Sequence, residues 1–190
     1  RHTDIVRRVG RENRGEGLLR EQTEVCDAQI TDEPGVALVA FTADCTPILL
    51  FDPVRKAIAA IHAGWRGTAL GIAAKTVEAM TRAYGCKPEN IRAAIGPCIG
   101  QCCFETDEDV PQAMRSALGS EAEACIERRG EKFHVDNKAL NRIWLTRAGV
   151  RCIDISADCT MCQPERFWSH RVTHGERGSL AAVIRLPAQR

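Results

Sequence analysis

At 190 residues, with 44% hydrophobic and 27% charged, the chain has the composition of one globular domain with a sizeable core. Its 26 basic residues stand against 25 acidic ones, a formal net charge of +1, so there is no electrostatic case for nucleic acid or an anionic membrane as partner. No apolar run approaches the roughly 20 residues of a membrane span, and the N-terminus lacks the charged-then-apolar pattern of a signal peptide. The chain begins with Arg1 rather than Met, and an upstream segment is expected to precede it. Ten cysteines without a secretory signal are poor grounds for a disulfide framework, and the expectation is a reduced, cytoplasmic protein.

Taken in chain order, Ile5–Val9 predicts a short strand. The basic residues Arg7, Arg8, Arg11 and Arg14 are interrupted by Glu and Gly and read as a solvated surface. Val36–Phe41 and Ile48–Phe51 predict buried strands on either side of Asp44-Cys45-Thr46-Pro47. Asp52-Pro53 marks a turn, and Ala57–His62 a third buried strand. From Thr68 to Tyr84 the period becomes helical, through Leu70, Ala73, Ala74, Val77 and Met80, with Gly85 at the C-cap position. Ile91–Ile95 predicts a strand ended by Gly96-Pro97. Helices are expected over Glu108–Leu118 and Asn137–Ala148, the latter capped by Asp136, and strands over Cys152–Ile155 and Leu180–Leu186. Strand and helix alternate without linker or repeat, which predicts a single mixed α/β or α+β layered domain.

Two segments carry chemistry. Cys45 follows an apolar strand in Thr42-Ala43-Asp44-Cys45-Thr46-Pro47, and His62 ends the next one in His62-Ala63-Gly64-Trp65-Arg66-Gly67. The short spacing lets two strands return both residues to one edge of a sheet, where a thiol and an imidazole make a metal site or an activated nucleophile. Burial as a packing Cys and a satisfied core His is the plainer reading of each alone. Small residues beside His62 allow close approach of a ligand, Trp65 offers a flat wall, and Arg66 a planar fork for phosphate or carboxylate. By spacing alone His2 is anonymous, and His134, His170 and His174 compete with it equally as a third ligand. Two imidazoles and one thiolate would leave a fourth zinc position open.

Cys98, Cys102 and Cys103 lie in one segment, and Cys159-Thr160-Met161-Cys162 is a C-x-x-C pair. Together they offer a second, structural zinc site, but the first cluster lacks C-x-x-C spacing and reads better as a shaped turn. Phe167-Trp168-Ser169-His170-Arg171 and the following Gly175-Glu176-Arg177-Gly178 form a pocket-closing loop with Arg171 for an anion, or a loop packed on the core.

These segments resemble the laccase-domain family, also called the multicopper polyphenol oxidase or purine nucleoside phosphorylase family of bacterial cytoplasmic proteins. The matching stretches are Asp27-Ala28, Thr31 through Pro34-Gly35, Thr42-Ala43-Asp44-Cys45, His62-Ala63-Gly64-Trp65-Arg66-Gly67, Gly96-Pro97-Cys98-Ile99-Gly100, Phe104-Glu105, Cys159-Thr160 and Ser169-His170-Arg171. The resemblance implies an α+β fold: a single-domain layered sandwich of mixed sheets with flanking helices, like that of a toxin deamidase using a Cys-His pair. It also implies a metal site of His2, Cys45 and His62, with Cys45 and His62 at the reacting centre, and Arg66 and Arg171 as substrate anchors. The family's upstream Gly-Gly-Val-Ser-like loop has no counterpart here. Where members often read Ser-Tyr-Arg-Arg-Asp, this chain has Ser169-His170-Arg171-Val172-Thr173.

The implied activity is zinc-dependent purine nucleoside chemistry: phosphorolysis of adenosine, inosine and methylthioadenosine, and deamination of adenosine, with nucleoside and phosphate as small-molecule partners. The alternatives are a copper-dependent polyphenol oxidase and a Cys-His hydrolase editing peptidoglycan precursors. Five histidines are too few for the oxygen-reducing cluster of a true multicopper oxidase.

Overall fold

The apolar strands expected on either side of the Asp52-Pro53 turn lie at the centre of the molecule, because both faces of each are covered. The computed structural model describes residues 2–188. In chain order the elements begin β1 (Val6–Arg8), β2 (Ala28–Thr31), β3 (Ala37–Thr42), β4 (Thr46–Asp52), β5 (Ala57–Ala63), α1 (Trp65–Ala69) and α2 (Ile72–Tyr84). They continue with β6 (Arg92–Ile95), β7 (Glu105–Thr106), α3 (Asp109–Leu118), β8 (Ile126–Arg129), β9 (Lys132–Val135), α4 (Asn137–Arg147), β10 (Cys152–Ile155), α5 (His170–Thr173) and β11 (Leu180–Arg185).

The main sheet has the order β1-β2-β5-β4-β6-β10, antiparallel through its middle with parallel pairs at both edges. Thr46 stands opposite Ala63 and Pro47 opposite His62. On one face Ile48, Leu50, Ala59 and Ile61 meet Ile72, Val77 and Met80 of α2 and Leu145 of α4. On the other, Ile58 and Ala60 meet Leu38 and Ala40 of β3, whose antiparallel partner is β11. A third cluster joins α3, α4 and a small β7-β9-β8 sheet through Met114, Leu118, Val135 and Leu140. The molecule is therefore the layered α+β domain expected. Leu50 is fully buried on the helix-facing side, and Leu50→Ala is expected to cost about 2–5 kcal/mol in urea unfolding, with the end of the sheet that carries Cys45 and His62 intact.

The helix expected over Thr68–Tyr84 is two helices. Gly71 takes φ +75°, which ends α1 and starts α2, and a Cβ there would meet the Trp144 ring at 3.4 Å. Gly85 (φ +66°) caps α2 as expected, and the Asp136 carboxylate accepts from the Ala139 N–H at 3.0 Å as the cap of α4. That helix is tied to the sheet by Asn137, whose Nδ2 donates to Thr46 Oγ1 at 2.9 Å and to the Ala63 carbonyl at 3.1 Å. Both acceptors adjoin the two residues of chemical interest. Strands β2, β7, β8 and β9 and the short α5 have no counterpart among the sequence expectations.

Candidate functional site

Four segments meet at one end of the main sheet. Cys45 immediately precedes β4, and His62 is the penultimate residue of its antiparallel neighbour β5. Asp27 immediately precedes β2, and its carbonyl accepts from the His62 N–H at 2.7 Å. His2 lies ahead of β1, which pairs with β2. One donor atom from each of His2, Cys45 and His62 lies within 4.8 Å of the others, close to the reach of a single ion with bonds of about 2.0–2.3 Å. The gap exists because residue 64 is glycine: a Cβ there would collide with the His2 ring and stand 3.3 Å from Cys45 Sγ. Nitrogen, sulfur and nitrogen donors on three separate segments suit a zinc-class or copper ion, so the residues present fit a metal.

Asp27 organises the set. Its Oδ1 stands 2.8 Å from His62 Nδ1, and its Oδ2 accepts from the Thr3 N–H and from Thr3 Oγ1 at 2.7 Å. One carboxylate thus orients the His62 ring and anchors the segment carrying His2. Burial alone would lower the His62 pKa, but the hydrogen bonds to Asp27 and Cys45 overcome it and raise the pKa to about 9. Burial works against the charged form of Asp27 as well, yet His62 and Thr3 hold its pKa down at about 2. His2 is shifted the other way, lowered by burial and then by the neighbouring His62 charge, so its lone pair is free for coordination near neutral pH.

The donors open into a cavity of about 350 Å³ whose wall includes His2, Asp27, Cys45, His62, Arg177 and Ser179, at the small end of ligand sites. Arg66 is exposed at the start of α1, its guanidinium 4.2 Å from the Trp65 ring and within electrostatic reach of His2. Trp65 packs into the α3/α4 cluster rather than the cavity wall. Arg171 is also off that wall, its Nη2 donating to the Glu105 carbonyl at 3.0 Å. Arg177 holds a cavity position that its loop shared with Arg171 in the sequence. His134 accepts no role here; its Nδ1 lies 2.7 Å from the Gln101 carbonyl.

Residue 44 fixes the approach to Cys45. Asp44 takes φ +80°, a left-handed conformation that Asp tolerates better than most residues. Its carboxylate accepts from Thr160 Oγ1 at 2.6 Å, Ser169 Oγ at 3.0 Å and the Arg171 N–H at 2.7 Å.

Residues 1–187 match the family model described as multi-copper polyphenol oxidoreductase laccase. The chain belongs to this family. It is 33% identical over 187 residues to the Bacillus subtilis purine nucleoside phosphorylase YlmD, covering 96% of this chain and 67% of that one. It is 38% identical over 151 residues to adenosine deaminase RL5 from an unknown prokaryotic organism, covering 78% and 57%. The crystal structure of YlmD from Geobacillus stearothermophilus superposes with a TM-score of 0.94 at 34% identity, over 98% of this chain and 71% of that one. Across curated relatives the chain spans from 36% to 69% of the partner's length. Of the laccase-family residues named from the sequence, the fold gathers His2, Cys45 and His62, keeps Arg66 nearby and sets Arg171 aside. Asp27 and Arg177 join them.

Proposed function

We propose that this chain is a zinc-dependent purine nucleoside enzyme, acting by phosphorolysis of adenosine, inosine and methylthioadenosine and by deamination of adenosine, in the cytoplasm. The observation that carries the reading is the convergence of His2, Cys45 and His62 on one point of a polar cavity. Relatives named for both reactions support it. So does the state of the ten cysteines, all free, which suits a reducing compartment. That no described helix is long and apolar enough to cross a membrane agrees with it as well.

His2, Cys45 and His62 would hold zinc with one position left open, and the ion would supply a Lewis acid that activates an oxygen nucleophile near neutral pH. Asp27 accepts a hydrogen bond from His62 Nδ1–H, which would leave Nε2 as the nitrogen available to the ion. Coordination requires His62 to release its second proton, which the Asp27 and Cys45 hydrogen bonds retain up to about pH 9 when no metal competes. Arg177 in the cavity wall and Arg66 beside His2 are the cations placed to meet phosphate or a developing negative charge. Arg171 would contribute by anchoring its loop to Glu105.

One geometric feature favours a second reading. His62 is hydrogen-bonded to both Cys45 and Asp27, a Cys-His-Asp chain able to generate a thiolate nucleophile without metal. Chelation separates the two. Zinc-loaded protein incubated with adenosine is expected to release adenine only when phosphate is present and to form inosine by deamination, and both activities should vanish after chelation and return with zinc. Absence of purine turnover with zinc fully loaded overturns the proposal; turnover that survives complete metal removal favours the thiol nucleophile. Oxidation of a polyphenol by the copper-loaded but not the zinc-loaded chain favours the oxidase.

A further inference from the structure

The three cysteines of the Gly96–Phe104 loop were not expected to meet the C-x-x-C pair in a metal-binding arrangement. Two of them do. Cys102, Cys103, Cys159 and Cys162 each place Sγ within 4.8 Å of the other three. Cys162 Sγ lies 3.7 Å from Cys102 Sγ and 3.4 Å from Cys103 Sγ. We propose that these four thiols are a second metal site, a tetrathiolate centre for one zinc-class divalent ion that pins the 98–104 loop to the 159–162 loop.

The distances choose among the uses of four clustered thiols. A disulfide joins its sulfurs at about 2.05 Å, and neither separation approaches that. A tetrahedral ion with bonds of about 2.3 Å holds its sulfurs about 3.8 Å apart, which both separations approach. A cluster of several irons needs a wider cage than sulfurs mutually within 4.8 Å provide. Four thiolates without nitrogen or oxygen donors are the set that zinc takes in closed, structural sites.

The backbone around the thiols is built for this. Gly100 donates its N–H to Cys159 Sγ at 3.2 Å, the kind of outer hydrogen bond that steadies a ligating thiolate. A Cβ at that position would stand 3.2 Å from Cys102 Sγ and 3.3 Å from Cys159 Cβ, so glycine lets the turn close over the sulfurs without crowding them. The N–H groups of Cys103 and Phe104 both donate to the Gly100 carbonyl at 2.9 Å, and the Thr160 N–H donates to the Cys98 carbonyl at 3.0 Å. The two loops are thereby in register before any ion binds. Loading displaces the thiol protons to solvent and leaves a site of formal charge −2, with the Arg129 guanidinium within electrostatic reach of Cys102 and Cys103.

The site is separate from the centre at His2, Cys45 and His62, and it is coupled to it through Asp44. The Asp44 carbonyl accepts from the Ile99 N–H at 3.0 Å, and its carboxylate accepts from Thr160 Oγ1 at 2.6 Å. Each of those donors lies within one of the loops that the four sulfurs would clamp.

Metal analysis of the chain, purified under reducing conditions from zinc-supplemented growth, tests the proposal beside the double variants Cys45→Ala/His62→Ala and Cys102→Ser/Cys162→Ser. The expected result is about one equivalent of zinc in Cys45→Ala/His62→Ala, and loss of about one equivalent from wild type in Cys102→Ser/Cys162→Ser. Cobalt(II) substituted into Cys45→Ala/His62→Ala should show strong thiolate charge-transfer absorption and the visible bands of a tetrahedral four-sulfur site. No bound metal in that variant, a cobalt spectrum without thiolate charge transfer, or recovery of a Cys162 disulfide with Cys102 or Cys103 overturns the proposal. The Cys45→Ala/His62→Ala arm keeps every thiol concerned, so it decides the matter even where the serine variant does not fold, and it does so whatever reaction the first site performs.

Discussion

Cys45→Ala is expected to lower kcat/KM for adenosine by at least about 10³-fold and to remove the zinc held with His2 and His62, while thermal unfolding of the chelated proteins stays close to wild type. The argument is one of ligand number. With Cys45 gone, only His2 and His62 remain, and a two-imidazole site facing an open cavity binds zinc too weakly to survive purification. Cys45 is half-buried at the mouth of β4 rather than within the core, so truncation removes few packing contacts. Activity and metal content measured on the same sample make the prediction sharp. An alanine variant that retains zinc and turnover removes Cys45 from the site; one that retains zinc but loses turnover makes the thiol a nucleophile rather than a ligand.

Asp27→Asn is expected to reduce metal affinity or activity by about 10–100-fold, the range for a partner that orients a ligand. The substitution is nearly isosteric but chemically mismatched, because Asp27 accepts three hydrogen bonds, from His62 Nδ1, the Thr3 N–H and Thr3 Oγ1. An amide keeps one acceptor oxygen and turns two donors toward donors. Either His62 or the His2 segment therefore loses its support, and the negative charge that both shared is gone. In chelated protein the His62 titration, followed by NMR of its ring protons, should fall from about 9 toward the ordinary 6.5. The stability difference between wild type and variant should follow the same groups. Asp27, depressed to about 2 from 3.8, stabilises the fold above pH 3.8 and loses that contribution as pH falls through about 2. His62, raised to about 9 from 6.5, stabilises it below pH 6.5 and loses that contribution as pH rises through about 9. The difference should peak between those limits. A wild-type His62 that titrates near 6.5 contradicts the proposed pairing.

What the sequence made legible followed from local pattern. The apolar runs of β4 and β5 announced buried strands, and residues at their ends announced a shared site, because antiparallel neighbours must bring such ends together. Helix ends at Gly85 and Asp136 were readable from capping chemistry. The break at Gly71 was not, since it answers to the Trp144 ring, which is far along the chain. Strand β2 is too short and too polar at Gln29 to register as a run, so Asp27 stood out only within the Asp27-Ala28 stretch of the family resemblance, with no role attached. The β8–β9 hairpin, Ile126–Arg129 and Lys132–Val135, carries so many charges that alternation is hidden. Arg171 and Arg177 share one loop, and the choice between them was fixed only by the Glu105 carbonyl that captures Arg171. The thiol quartet escaped spacing rules because adjacent Cys102 and Cys103 both turn toward Cys162 across a tight turn.

The left-handed Asp44 also sets an order of events during synthesis. Its carboxylate partners are Thr160, Ser169 and Arg171, more than a hundred residues downstream. A nascent chain can pair β4 with β5 early, since they are joined by a short turn, and the Ile99 N–H can then reach the Asp44 carbonyl. The carboxylate of residue 44, however, lacks its three partners until the chain has been made through Arg171. Contacts of such long sequence separation form late because loop closure must be completed first. Cys45 therefore reaches its final position only after residues 160–171 have been made, and a chain that stops short of them carries β4 and β5 without the contacts that set residue 44.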